Sequence, residues 1–411
     1  MGYKRDAVKG VSWITLLRGV TRALSYVRLA VLGRVLTPTQ FGFFGIASLL
    51  LALLEILTET GVNVFLVQEK SHITKYISTA WIVSILRGIF VSSVIFLLSP
   101  WISNFFNSPK ATSVVTLIAF VPLLRGFINP ALVTYQKDLL FHKEFRLRSV
   151  LLLTEVCTSV TLGILTKSAE SFVWGLLASA VLEVVLSFVL IPIWPRAEIK
   201  IDQVRHIIRQ GWWVTLTGIF LYFSDNTDNI SVGKILGSAS LGIYQVAYKF
   251  STLPITEVTN VVNLVVFPVY SKFSDDRDRL YHAFVRVTIF TSIGAVVLGG
   301  SIFLFAKPLI YFFMGGQWSQ AIPAIQILSI YGILRTIFGN FAPLFLSAKR
   351  QDYVAQMTLS RLIIVLILVI PLVSKYGMVG AAYAMLISMA VEIPVGIYFA
   401  SRVLRQTNEI K

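Results

Sequence analysis

The feature that most constrains this chain is the recurrence, from one end to the other, of apolar stretches about 20 residues long, the length a helix needs to cross a bilayer. Inside lipid the backbone must satisfy its own hydrogen bonds, which leaves only helices or a closed barrel. The stretch "ISTAWIVSILRGIFVSSVIFLLSP", from Ile77, is the clearest. Twelve segments are read, at about 10–34, 40–66, 77–99, 112–136, 149–166, 171–194, 211–233, 240–268, 285–306, 320–347, 353–373 and 377–401. The first and seventh are too polar for hydropathy alone to find. No recurring alternation of strand period is present, which argues against a β-barrel. The expected fold is an all-α integral membrane protein of about twelve transmembrane helices.

Composition excludes other classes. The 411 residues are 56% hydrophobic and 14% charged, against about 25% charged in a soluble protein. The single cysteine, Cys157, excludes an internal disulfide. The four histidines, His72, His142, His206 and His282, fall in expected loops without ligand spacing, so no metal site and no cofactor are expected. The basic N-terminus leads into a polar helix rather than a short apolar core with a cleavage site, and is read as retained.

The net charge of +16 is distributed unevenly. One set of loops and tails carries two to four Lys or Arg each, including Lys137, Lys143, Arg146 and Arg148 in one loop and Arg196, Lys200, Arg205 and Arg209 in another. The opposite loops carry one each: Arg34, Lys110, Lys167, Lys234, Lys307 and Lys375. The positive-inside rule then places both termini in the cytoplasm. That asymmetry accounts for the basic charge without a nucleic-acid partner.

The chain repeats itself. "LGRVLTPTQFGFFGIA" (32–47) aligns with "VGKILGSASLGIYQVA" (232–247), matching Gly33, Leu36, Gly42 and Ala47 to Gly233, Leu236, Gly242 and Ala247. "LLRG" (123–126) resembles "ILRT" (333–336) at a shifted offset. Two pseudo-symmetric six-helix lobes follow: residues 1–195, a charged cytoplasmic linker at 196–210, and residues 211–411. Six helices is an even number, so both lobes enter the membrane in the same sense, a layout that favours a transporter.

Ionisable residues inside spans are expensive and point to function. On a wheel at 100° per residue, Arg18, Arg22 and Arg28 share an arc of about 140° with Thr15, Thr21 and Ser25. That polar face has three positive charges and no acid. It suits a phosphate or other anion, because guanidinium forks bind such oxygens bidentately. Arg125 and Arg335 are candidates for the same role. In the seventh segment Asp225, Asp228 and Asn229 share one side; in the repeat register Asp228 falls opposite Arg28, which suggests a pair closing an outer mouth. Asp225, Asp228, Glu55, Glu59 and Lys249 are candidates for gating or for coupling to H⁺ or Na⁺. Arg87, Glu155, Glu183, Arg361 and Glu392 read more simply as paired struts.

The stretches "LGRVLTPTQFGFFGIA", "NISVGKILGSASLGIYQVAYKFSTLPI", "VVFPVYSKFSDD", "FFMGGQW" and "YGMVGAAYA" resemble the polysaccharide-transporter branch of the multidrug/oligosaccharidyl-lipid/polysaccharide exporter superfamily. The resemblance implies a two-lobed, V-shaped bundle. It also implies a flippase for polyprenyl-pyrophosphate-linked oligosaccharide, in the inner membrane of a bacterium or archaeon, serving O-antigen or exopolysaccharide synthesis by alternating access. Its partners would be that lipid-linked substrate, membrane lipids and other polysaccharide assembly proteins. In the related lipid II flippases first-helix arginines line a cationic cavity, and Arg18, Arg22 and Arg28 match them by helix and pattern. Many relatives have fourteen helices against the twelve read here, which leaves open where the polyprenyl tail rests. A multidrug exporter of the superfamily fits less well, since the arginines would repel organic cations. A membrane polymerase or ligase would need larger outer loops with a reactive constellation, so the chain is expected not to be an enzyme.

Overall fold

The computed structural model describes residues 2–58, 66, 74–196, 201–273 and 276–406, most of them with side chains. Among the described residues the regular elements are helical, without strands. The chain divides into two compact units, Met1–Ile219 and Phe220–Lys411. In the first lie α1 (Gly2–Val35), α2 (Pro38–Leu57), α3 (Thr74–Phe105), α4 (Thr112–Ile118), α5 (Phe120–Gly126), α6 (Thr134–Lys137), α7 (Phe141–Thr166) and α8 (Glu170–Leu190). Then come α9 (Ile201–Leu236), α10 (Ser238–Lys272), α11 (Arg277–Leu304), α12 (Ala306–Phe313), α13 (Ile322–Phe338), α14 (Phe341–Ser347) and α15 (Gln351–Gln406). The unit division falls inside α9. Residues 201–210, expected in a linker, therefore share one unbroken helix with the seventh segment; residues 197–200 and Glu59 lie outside the described residues.

Among the described residues seven helical stretches are long and apolar enough to cross a membrane, or up to eight if the bent pair 109–126 and 130–137 counts as one. The polar α1 and α9 are not among them. The 56-residue α15 holds two of the expected segments. At about 1.5 Å per residue it far exceeds a ~30 Å bilayer core, and it is broken at Gly377, whose φ of 63° and ψ of −142° are not helical. These elements are consistent with twelve segments.

The packing suits lipid outside. Leu97 is 75% exposed and Leu304 74%, while Ser99, Asn129, Ser187, Thr291 and Asn340 are buried. Each buried group finds a partner between elements: Ser99 Oγ and Thr116 Oγ1 lie 2.7 Å apart, and Asn340 Nδ2 donates to Thr291 Oγ1 at 2.7 Å. Asn129 spans the break after α5, donating from Nδ2 to Ile193 O at 2.8 Å and accepting from Ala131 N at 3.0 Å. Small residues let helices touch. A Cβ on Gly88 of α3 would lie 2.5 Å from Pro122 O of α5.

The repeat is visible in backbone detail. Leu139 (φ 57°) and Lys349 (φ 58°) are left-handed, as are Lys167 (φ 50°) and Gly377 (φ 63°), each pair 210 residues apart. Leu140 N donates to Tyr135 O at 2.7 Å and Arg350 N to Phe345 O at 2.8 Å. These are the same helix-ending bonds in both copies. The turn after the first helix of each copy is built by different chemistry. Thr37 caps α2 through a reciprocal pair with Gln40, and Pro38 supplies a preset φ. In the second copy Gly237, at φ 85°, starts α10 with no side-chain cap. The bond across the turn is the same: Phe41 N to Thr37 O at 3.2 Å, and Leu241 N to Gly237 O at 3.1 Å.

Candidate functional site

The α1 face carries Arg18, Arg22 and Arg28, all partly exposed. Its hydroxyls turn back on their own helix. Thr21 Oγ1 donates to Leu17 O and Ser25 Oγ to Thr21 O, each at 2.7 Å. Backbone carbonyls thus satisfy these two hydroxyls. Arg28 reaches two other helices. Its Nη1 donates to Glu155 Oε1 of α7, and its guanidinium lies 5.8 Å from the centre of the Phe172 ring.

A cavity of about 280 Å³ in the first unit opens at the break after α5. Glu55 of α2 takes Arg125 Nη1 at 3.2 Å on its carboxylate, and its backbone oxygen takes Arg87 Nη2 at 2.7 Å. Arg148 of α7 bonds Glu183 of α8 at 3.1 Å. Arg87, Arg125 and Arg148 thus line the cavity together with Glu55, Glu144 and Glu183.

The second unit has a larger cavity, about 540 Å³, beside the equivalent break after α13. Asp225 of α9 is its hub. Arg335 Nη2 bonds Asp225 Oδ2 at 3.1 Å and Arg361 Nη2 bonds Asp225 Oδ1 at 3.2 Å. Arg335 Nη1 also donates to Tyr248 Oη at 2.7 Å, and Arg361 Nε and Nη2 donate to Ser224 Oγ. Glu392 Oε2 lies 3.8 Å from Arg361 Nε. Arg361 and Glu392, read from sequence as struts, are thus part of this cavity. The available signal was that each is the one charge in its apolar segment, 353–373 or 377–401. Lys249 is partly exposed on α10.

Asp228, a gating candidate from sequence, is fully buried. Tyr244 Oη donates to its Oδ2 at 2.8 Å, and Asn229 N and Nδ2 donate to its Oδ1 at 2.8 and 3.1 Å. Arg28 and Asp228 are each engaged inside their own unit, Arg28 with Glu155 and Asp228 with Tyr244. Asp225 is paired with both Arg335 and Arg361, so Arg335, a candidate for the anion from sequence, bonds a carboxylate here.

The helices, the doubled architecture and the charged polar faces define a multi-pass membrane protein with the fold of the multidrug/oligosaccharidyl-lipid/polysaccharide exporter superfamily. Solved structures agree on the fold. The lipid II flippase MurJ, in an inward closed conformation, matches with a TM-score of 0.78 at 14% identity, over 96% of this chain and 89% of its own. An inward-facing multidrug MATE transporter matches with a TM-score of 0.63 at 14% identity, over 95% of each chain. The family model described as "polysaccharide biosynthesis protein" matches residues 31–323, and the chain belongs to that family, in the polysaccharide-transporter branch of the superfamily. It is 26% identical over 405 residues to a membrane protein of the cps region of Klebsiella pneumoniae, covering 97% of this chain and 83% of the relative. Lipopolysaccharide biosynthesis protein WzxC of Escherichia coli is 25% identical, over 86% of this chain and 72% of its own.

Proposed function

We propose that the protein is a flippase that carries a polyprenyl-pyrophosphate-linked oligosaccharide from the inner to the outer leaflet of the cytoplasmic membrane, by alternating exposure of a cationic site. Family membership supplies the class: the relatives include proteins named for lipopolysaccharide biosynthesis and, in TuaB of Bacillus subtilis, teichuronic acid biosynthesis. The observation that carries the substrate is α1. No acid lies between Asp6 and Glu55, and Arg18 and Arg22 stand on one partly exposed face. Pyrophosphate offers oxygens in the geometry a guanidinium fork accepts, and two such forks hold it against a membrane interior that penalises bare charge.

Orientation is part of this reading, with both termini cytoplasmic. In a Cys157→Ala background, cysteines at the exposed Lys110 and Ser374 react with an impermeant thiol reagent added outside, and one at Ser271 reacts only after permeabilisation. The opposite pattern reverses the topology. Transport is tested in proteoliposomes holding undecaprenyl-pyrophosphate-linked oligosaccharide, with and without imposed H⁺ and Na⁺ gradients. Translocation that depends on the protein supports the reading, and its dependence on either gradient identifies the coupling ion. A protein-independent rate contradicts it.

A further inference from the structure

The two copies use one arginine differently. Arg125 of α5 and Arg335 of α13 are 210 residues apart, the offset that also relates Leu139 to Lys349 and Lys167 to Gly377. Arg335 reaches α9 and α10: its Nη2 bonds Asp225 Oδ2 at 3.1 Å and its Nη1 donates to Tyr248 Oη at 2.7 Å. In the register of the hairpins, Asp225 corresponds to Ser25 of α1 and Tyr248 to Ser48 of α2. Both serines turn back on their own helices, Ser25 Oγ donating to Thr21 O and Ser48 Oγ to Phe44 O, each at 2.7 Å. Arg125 instead bonds Glu55 of α2 at 3.2 Å, a position that is Ile255 in the second copy.

The corner that a carboxylate and a phenol occupy in the second unit is thus held in the first by two short hydroxyl side chains, both partly exposed. It belongs to the arginine face of α1: Ser25 is three residues from Arg22 and three from Arg28, so each is its neighbour on the helix surface. An anion there would play the part that the Asp225 carboxylate plays beside Arg335. Arg125 is able to reach it, since Arg335 spans the same distance from the same place in the repeat. Its hold on Glu55 is slight: among the described residues it commits Nη1 alone, and its side chain is 41% exposed. Glu55 is the fixed partner. Arg87 Nη2 donates to its backbone oxygen at 2.7 Å and Arg87 Nε to Thr58 Oγ1 at 3.1 Å, which pins the end of α2. Pyrophosphate offers the Arg125 fork more oxygens than this single contact does. We propose that Arg125 exchanges Glu55 for the pyrophosphate of the lipid-linked substrate and binds it at the level of Ser25, with Glu55 as the carboxylate that competes for the arginine. The proposal rests on the flippase reading for the source of the pyrophosphate.

The test separates binding from transport. Ser25→Cys in a Cys157→Ala background is labelled with methyl methanethiosulfonate in detergent. The probe is inorganic pyrophosphate, with sodium chloride at equal ionic strength as the control. Pyrophosphate slows labelling and chloride does not. Arg125→Gln raises the concentration needed for half-protection about tenfold, the scale of one hydrogen bond to a charge. Arg125→Lys, which keeps the charge, raises it less. Glu55→Gln lowers it, because the competing carboxylate is gone. A pair that only braced α2 against α5 would not give opposite signs for its two members. No protection by pyrophosphate, equal protection by chloride, or a value unchanged in both Arg125 variants overturns the proposal. So does a value in Glu55→Gln that is unchanged or raised. Parallel flipping assays keep the two readings apart. Protection with these shifts, but without transport of undecaprenyl-pyrophosphate-linked oligosaccharide, removes the flippase and leaves the anion site. Transport without the shifts does the reverse.

Discussion

Positions 28 and 228 occupy the same place in two copies of one helical hairpin, and the copies dispose of their charge in opposite ways. In the second copy Asp228 is fully buried and accepts a hydrogen bond from Tyr244, across the turn at Gly237. In the first copy the residue aligned with Tyr244 is Phe44, which has no hydroxyl to give. Phe44 instead stacks on Phe172 at 4.6 Å between ring centres, and the guanidinium of Arg28 lies 5.8 Å from the same ring while bonding Glu155. One phenolic oxygen separates a hairpin that satisfies its charge internally from one that must reach to α7. The same contrast runs through the two cavities. In the first unit the Arg125–Glu55 pair is 41% and 34% exposed and open to its cavity; in the second, Arg361 and Glu392 are 9% and 10% exposed. Duplication preserved the breaks and the helix ends, and left the charges beside them free to diverge.

The largest effect that tests this contrast is expected at Arg361. Arg361→Met removes the cation from Glu392 and one of two from Asp225, and leaves a buried charge uncompensated. The cost is about 3–5 kcal/mol, against under about 1 kcal/mol for Arg125→Met at the more exposed pair. Thermal unfolding in detergent, followed by size-exclusion, ranks the two; equal losses would erase the distinction between the cavities. Next comes Tyr244→Phe, which makes the second hairpin resemble the first. It strands Asp228 Oδ2, at about 1–3 kcal/mol. Adding Asp228→Asn removes the charge and restores part of the loss. If the double variant is as unstable as the sum of the two single variants, the Tyr244 hydroxyl is not serving the carboxylate. The smallest effect separates the two turns. Thr37→Ala loses a side-chain cap at about 1 kcal/mol. Gly237→Ala must hold alanine at φ 85°, a strain of about 1–3 kcal/mol. The same melting assay should place Gly237→Ala at or above Thr37→Ala, and the reverse order would show that the cap matters more than the backbone.

Much of this was legible in the sequence. The apolar segments located the helices, and the matched glycines at 33 and 42 and at 233 and 242 located the matched turns. The doubling followed from their register. The partners of the charges were not legible. A helical wheel gives the direction a side chain leaves its own helix, not the helix it meets. Glu155 is 127 residues from Arg28 and Arg335 is 110 from Asp225. Asp225 and Asp228 share an arc yet meet different neighbours, one a cavity and the other a packed tyrosine. Tyr244 could have been found, because it and Asp228 flank the Gly237 turn at nearly equal distances, as partners in an antiparallel hairpin do. Arg361 and Glu392 were visible as charges on an apolar helix, but only the fold of α15, bent at Gly377, puts them beside Asp225.

The central claim is that α1 holds the pyrophosphate of a lipid-linked sugar during translocation. It is tested most directly by the initial rate of flipping of undecaprenyl-pyrophosphate-linked oligosaccharide in proteoliposomes, comparing the parental protein with Arg22→Lys and with the double variant Arg18→Gln/Arg22→Gln. The account predicts an intermediate rate for Arg22→Lys, which keeps the charge and loses the fork. For the double variant it predicts a loss of at least about tenfold, the scale of one charge-assisted contact, in protein that is folded and inserted. A double variant that flips at the parental rate would contradict it.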